Sequence, residues 1–480
     1  MKIKSFLGVG LILLALIACN DDLKDEKDDN INGKTYVTLQ FGMNGRRDGR
    51  ATPPVAGGDG KETGTLEESK VTSALFVAYS AEGGALVKSE KIVTFEEEVG
   101  STVNNPYIYT AREIEIAQGA MHFYVVVNPP EDYIAPTTEE NFLKTQLPTN
   151  DPTAEFSEKG KFLMSNSKKV GGTVTAEHTK MAPLEITIPV DRVVAKIEYW
   201  NVKEGNVYTV PSAADSETAN LNGEITFQSA DIINLMKETY LFKTTKKEGE
   251  DPKILDENWK EGEGSGSYVV DPYFLNKKGD FEDGEYSRYY TNSLINYKFN
   301  GKYSFLKGEV DKKEFEVYCL ENTSDQENQK NGYSTGIVFK AQYKPAGEDK
   351  VTDLYRCNGQ LYTSWNDFIR DYSDLKDLTE DEYTDRENLA LLGIDYFKDG
   401  ICYYTYWIRH INNDDPETMG EMEFGIVRNN IYRLKIMGVN NIGEPTVPTD
   451  PENPNEGGKS YLNVRVEILP WTLRLNEIEF

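Results

Sequence analysis

The chain has 480 residues, with 80 acidic against 52 basic side chains and a formal charge of −28. Such acidity excludes nucleic acid and anionic membrane surfaces as partners, because both repel it. Four cysteines are too few for a disulfide framework, so stability has to come from buried cores, and the length suits two domains.

In chain order, Lys2 and Lys4 precede a short apolar run, Phe6 to Ala18, too short for a membrane span and right for a secretory leader. Leu16-Ile17-Ala18-Cys19 reads as a bacterial lipobox, with Cys19 the acylated residue and 1–18 the signal peptide. Asn20 to Asn30 is an acidic tether. Lys34 to Asn44 then carries Val37, Leu39, Phe41 and Met43 in alternation with Tyr36, Thr38, Gln40 and Gly42, a first strand with one apolar face. The glycine-flanked loop after it holds Arg46, Arg47 and Arg50. It reads either as an accessible trypsin-like cleavage site or as a solvated basic turn.

Short strand signals recur from there: Val71 to Tyr79, Glu113 to Ile116, Phe123 to Val127, then Leu184 to Ile188 and Val193 to Trp200 on either side of Pro189. Ile225 to Phe227, Phe315 to Leu320, Thr335 to Tyr343, Ile401 to Ile408 and Ile431 to Val439 continue the series. Glu139 to Leu147, Ser364 to Tyr372 and Leu375 to Leu391 read as short helical insertions. Lys243 to Asp283 is charged and glycine-rich and reads as a long surface loop. Short strands separated by proline- and glycine-rich turns predict an all-β protein built from β-sandwiches.

Catalytic and metal motifs fail on context. Gly332-Tyr333-Ser334-Thr335-Gly336 matches a nucleophile elbow, but a polar loop precedes it and a strand comes after it, the reverse of what the elbow needs. Of the three histidines only His410 lies beyond Ser334, so no triad can be argued and no enzyme is expected. Asp28 to Gly33 begins like a calcium loop, but Leu39 stands where the bidentate glutamate belongs. Gly262, Gly264 and Gly266 lack the strand and helix of a phosphate cradle. No cofactor or metal is expected. The tyrosine-rich Tyr403 to Trp407 reads as sandwich filling ahead of a binding platform. Beyond Cys19, the thiols Cys319, Cys357 and Cys402 allow one disulfide or none.

The polar run Ile442 to Ser460 reads as a mobile connector. After it Leu462, Val464, Val466 and Ile468 alternate with Asn463, Arg465 and Glu467. Pro470 then separates a second run, Trp471, Leu473 and Leu475, of opposite phase, so two strand segments are expected. Such a strand on a hinge can pair with its own sheet or with another molecule's.

Taken together and in this order, several short motifs resemble those of a Bacteroidetes fimbrillin, the shaft subunit of the minor-fimbria type within the type V pili. They are the lipobox, FYVVVNP from Phe123, DRVVAKIEYW from Asp191, YCLENT from Tyr318, GYSTGIVFKA from Gly332, VRNNIYRLKI from Val427 and EILPW from Glu467. The resemblance implies two transthyretin-like β-sandwich domains, expected at 51–189 and 190–480, with a hinge at 442–460 and a donor strand at 461–480. It implies export as a lipoprotein to the cell surface, and removal of a pro-segment, 19–50, by an arginine-specific protease cutting at Arg50, or at Arg46 or Arg47. Loss of the first strand (Val37, Leu39, Phe41, Met43) would open a groove for another subunit's tail, through Leu462, Val464, Val466, Ile468, Trp471, Leu473 and Leu475. The implied partners are identical subunits, accessory tip and anchor subunits and the protease. A tip or anchor subunit, or a surface glycan-binding lipoprotein that does not polymerise, are the alternatives.

Overall fold

A computed structural model describes residues 33–43, 62–98, 108–210, 221–259, 266–274, 277, 286–295, 297–305, 310–415, 418–456 and 461–472. The protein is all-β with short helices. Its N-terminal part forms a nine-stranded sheet. Along the main path the strands run Leu86–Ile92, Ala74–Ser80, Gly119–Val127, Met164–Asn166, Leu184–Arg192, Thr35–Met43, Ile108–Ile116 and Glu96–Glu98, and Val170–Val174 pairs with Gly119–Val127. The strands Ala74–Ser80 and Gly119–Val127 are buried on both faces over Ala74–Tyr79 and Phe123–Val127, and Phe76, Val77, Phe123, Val125, Ile186 and Ile188 belong to one continuous core.

The C-terminal part contains two further five-stranded sheets. One runs Glu62–Thr63, Leu462–Thr472, Asn430–Val439, Ala195–Asn201 and Lys312–Cys319. The other runs Val207–Val210, Gly223–Ile233, Gly336–Pro345 and Ile401–Trp407, with Tyr303–Ser304 on its side. Ile197, Tyr199, Leu434 and Ile436 of the first share a core with Ile225, Phe227, Ile337 and Phe339 of the second, which is the sandwich arrangement. The strand Leu184–Arg192 runs straight through Pro189, and the chain leaves the N-terminal sheet only at Val193 and Val194.

Three local expectations need correction. Leu375 to Leu391 is not one helix: a 3-10 turn and two short helices, Glu380–Tyr383 and Arg386–Leu391, are separated because Thr379 and Asp385 each cap a new start. Glu139–Leu143 is helical, but the chain returns to a strand at Gln146–Pro148. Lys243 to Asp283 is not simply a surface loop. It contains a three-stranded sheet, Thr244–Lys247, Lys253–Ile254 and Ser267–Val269, and its Trp259 and Val269 share a small core with Met422 and Val427. Cys319, Cys357 and Cys402 are buried free thiols, and burial pushes Cys319 and Cys402 up to about 12.

Candidate functional site

The first strand, Thr35–Met43, sits inside the N-terminal sheet. It pairs in parallel with Leu184–Arg192, from Val37 opposite Leu184 to Met43 opposite Val190, and antiparallel with Ile108–Ile116. Val37 and Leu39 are 0 % exposed and Phe41 is 1 % exposed. Phe41 stacks on Tyr109 at 5.6 Å between ring centroids and meets Phe95 edge-on. Thr35 Oγ1 donates to the Ile116 carbonyl at 2.6 Å, and Tyr36 N to the His178 carbonyl at 2.9 Å. Hydrogen-bonded neighbours on both sides and three buried side chains make this strand a wall of the core. Burying those three side chains is worth about 5–9 kcal/mol.

The tail forms a single strand, Leu462–Thr472, where two segments were expected. It pairs antiparallel with Asn430–Val439, from Leu462 opposite Val439 to Pro470 opposite Asn430. Proline is tolerated there because the tail lies one strand from the sheet edge, and among the described residues its outer side pairs only at Trp471 and Thr472, with Glu62 and Thr63. Leu462 is buried, and Val464 and Val466 pack partly buried on the sandwich core, so in this chain the proximal tail completes its own sheet. Lys435 Nζ reaches Glu467 at 3.2 Å across the pair.

The connector is more firmly held than its composition suggests. Tyr403 and Glu444 exchange backbone bonds of 2.8 and 2.9 Å, Gly332 N donates to the Pro451 carbonyl at 2.8 Å, and Asn455 N donates to the Gln329 carbonyl at 3.0 Å. Arg356 pairs with Glu444 at 2.9 Å and Arg409 with Glu456 at 2.6 Å. Prolines and asparagines that form no core of their own are docked here on the edge strand Ile401–Trp407 and on the turn before Gly336.

One group of residues escaped the sequence reading. The short helix Leu66–Ser69 begins with a capping box, Thr65 and Glu68, and the Thr-x-x-Glu pattern was its only signal. Glu68 Oε1 accepts from Lys196 Nζ at 2.9 Å and from Tyr318 OH at 2.6 Å. Arg192 Nε donates to the Glu68 carbonyl and Arg192 Nη2 to Ser69 Oγ, both at 2.9 Å. Burial raises the Glu68 carboxyl, but Lys196 and the Tyr318 hydroxyl outweigh it and leave Glu68 below the ordinary carboxylate value. Nothing in sequence could link Glu68 to a lysine 128 positions away.

Of the other sequence-predicted sites, Cys19, Arg46, Arg47, Arg50, Leu473 and Leu475 lie outside the described residues, as do the side chains of Met43, Ile468 and Trp471. Ser334 sits in a turn that enters the strand Gly336–Pro345. It is buried, with its Oγ donating to Asn455 Oδ1 at 2.6 Å, while His410 Nδ1 lies 2.7 Å from Tyr432 OH. Each of the two is engaged with a different partner. Among the described residues there is no cluster of three or more metal-ligating side chains, and no helix is long and apolar enough to cross a membrane.

Residues 395–477 match the family model described as major fimbrial subunit protein type IV, fimbrillin, C-terminal. Among solved structures, the chain is similar to two candidate cell adhesion proteins from Parabacteroides distasonis. One is 14 % identical, with 93 % of this chain and 99 % of that one covered and a TM-score of 0.44. The other is 13 % identical, with 92 % and 100 % covered and a TM-score of 0.48. It is also similar to the C-terminally truncated tip fimbrial protein Mfa3 from Porphyromonas gingivalis, at 12 % identity, 91 % and 100 % coverage and a TM-score of 0.37. No curated protein matches the chain.

Proposed function

From a chain whose C-terminal region, residues 395–477, is of the fimbrillin type, we propose a structural subunit of a cell-surface fimbria, of the shaft kind, that polymerises by exchanging strands. In this reading the precursor is a lipoprotein acylated at Cys19 that passes through the periplasm to the outer membrane. An arginine-specific protease cuts at Arg50, or at Arg46 or Arg47, and detaches 19–50. The polymer joins tip and anchor subunits and serves adhesion and biofilm formation, and no catalytic step is involved. The boundary between the two domains, set at 189/190 from the sequence, is placed instead after Arg192, where the strand Leu184–Arg192 of the N-terminal sheet ends.

The observation that carries the reading is the position of Thr35–Met43, between two strands with three side chains buried. A cut in the arginine loop severs that strand from the rest of the chain. Its departure would leave a mid-sheet slot with unpaired backbone groups and an open apolar floor, which only another strand can satisfy. The tail has the matching alternation. Leu462, Val464 and Val466 already serve the chain's own core, so handing them over gains only the difference between two grooves. In this reading the run beginning at Trp471, with Leu473 and Leu475, is part of the donor. The test is a synthetic peptide of residues 461–480, added in excess to protease-treated subunit. It should cap the groove and shorten the ladder of polymers seen on a denaturing gel run without boiling. A ladder of unchanged length would remove the tail as donor.

A further inference from the structure

Resting on that assembly reading, we propose that Glu62–Ser69 is a bolt that holds the far end of the tail strand in its own subunit and that senses the groove. Glu68 is its positioning residue. The tail strand is tied at its near end, where Asn440 N donates to the Tyr461 carbonyl at 2.8 Å and the docked connector adjoins it. Peeling therefore starts at the far end, where Trp471 and Thr472 pair in parallel with Glu62 and Thr63. A clasp of two backbone pairs is weak by itself. The short helix Leu66–Ser69 anchors it.

Glu68 bonds Lys196 and Tyr318, which stand on Ala195–Asn201 and Lys312–Cys319, two strands of the sheet that holds the tail. The bolt is also bonded to both walls of the groove. Arg192, at the end of the parallel wall Leu184–Arg192, donates to the Glu68 carbonyl and to Ser69 Oγ. Tyr109, on the antiparallel wall Ile108–Ile116, donates its hydroxyl to the Ser69 carbonyl at 3.3 Å. Tyr109 is the residue on which Phe41 of the first strand stacks. A continuous path of contacts thus runs from Phe41 through Tyr109 to Ser69 and Glu68, and along the chain to Thr63 and the tail. When the first strand leaves, Tyr109 loses its stacking partner, the walls relax, and the clasp on Trp471 and Thr472 weakens. Emptying the groove of one subunit thereby releases the donor of the same subunit.

The experiment is hydrogen exchange, read by mass spectrometry on the full-length chain kept dilute enough to stay monomeric. Cleavage in the arginine loop should speed exchange at 469–472 by about tenfold, within the range of ordinary coupling between sites. Exchange in the strand Gly223–Ile233 should not change. Thr63→Pro and Glu68→Gln should each speed exchange at 469–472 without cleavage, and Tyr109→Phe, which keeps the ring stack, should shrink the response to cleavage. Should Thr63→Pro disturb the whole fold, Gly223–Ile233 will show it, and Glu68→Gln then decides. Tail exchange that ignores cleavage and both variants, or that rises equally everywhere, overturns the bolt. Ladders forming with unchanged tail exchange also overturn the bolt and leave the assembly reading standing. A loosened tail that never forms ladders overturns the assembly reading alone.

Discussion

At the scale of single residues, Glu68 carries more than any residue singled out from sequence. Its carboxylate is buried against Lys196 and Tyr318, and its folded value lies below the ordinary 4.5. A depressed carboxylate contributes stability that is complete above its unfolded value and is lost as pH falls through the lower folded value. The denaturant midpoint of the wild-type chain should therefore exceed that of Glu68→Gln most above pH 4.5, with the gap closing in more acidic buffer. A gap that stays constant with acidification would mean that the ion pair is not what Glu68 supplies. Replacing Lys196 as well, in Glu68→Gln/Lys196→Met, should recover little of the loss, because Lys196 keeps Glu198 at 3.4 Å in the single variant and Glu198 loses that partner in the double one.

At the scale of elements, the two halves of the tail should behave differently. Val464→Asp puts a charge against the chain's own sandwich core and should lower monomer stability by about 1–3 kcal/mol in denaturant unfolding. Leu475→Asp, in the far half, should stop assembly after cleavage. If both variants assembled like the wild type, neither half would be the donor. The first strand was legible in sequence because Val37, Leu39 and Phe41 alternate without interruption, and the structure buries all three. Its partners were not legible. Leu184 and Ile114 stand far along the chain, and pairing register is a tertiary property. The connector was misread for a related reason: Pro451 and Asn455 announce that no local core forms, but not that Gly332 and Gln329 wait to bond them. In the same way the surface-loop reading of Lys243 to Asp283 missed the small core at Trp259, because Met422 and Val427, which share it, lie in another part of the chain.

At the scale of the whole molecule, the contacts of Phe41, Tyr109, Ser69 and Glu68 link the first strand to the sheet that holds the tail. The N-terminal sheet holds Thr35–Met43 between two neighbours, and the C-terminal sandwich holds the tail one strand from its edge. The most direct test treats purified full-length chain with an arginine-specific protease, which spares Lys61 in the same segment, beside the triple variant Arg46→Ala/Arg47→Ala/Arg50→Ala, then runs both unboiled on a denaturing gel. The wild type should lose its N-terminal segment and form a regular ladder of polymers, while the triple variant stays a single monomer band. A ladder from the triple variant, or cleaved wild type that remains monomeric at assembly concentrations, would contradict the claim that removing the first strand opens the groove for another subunit's tail.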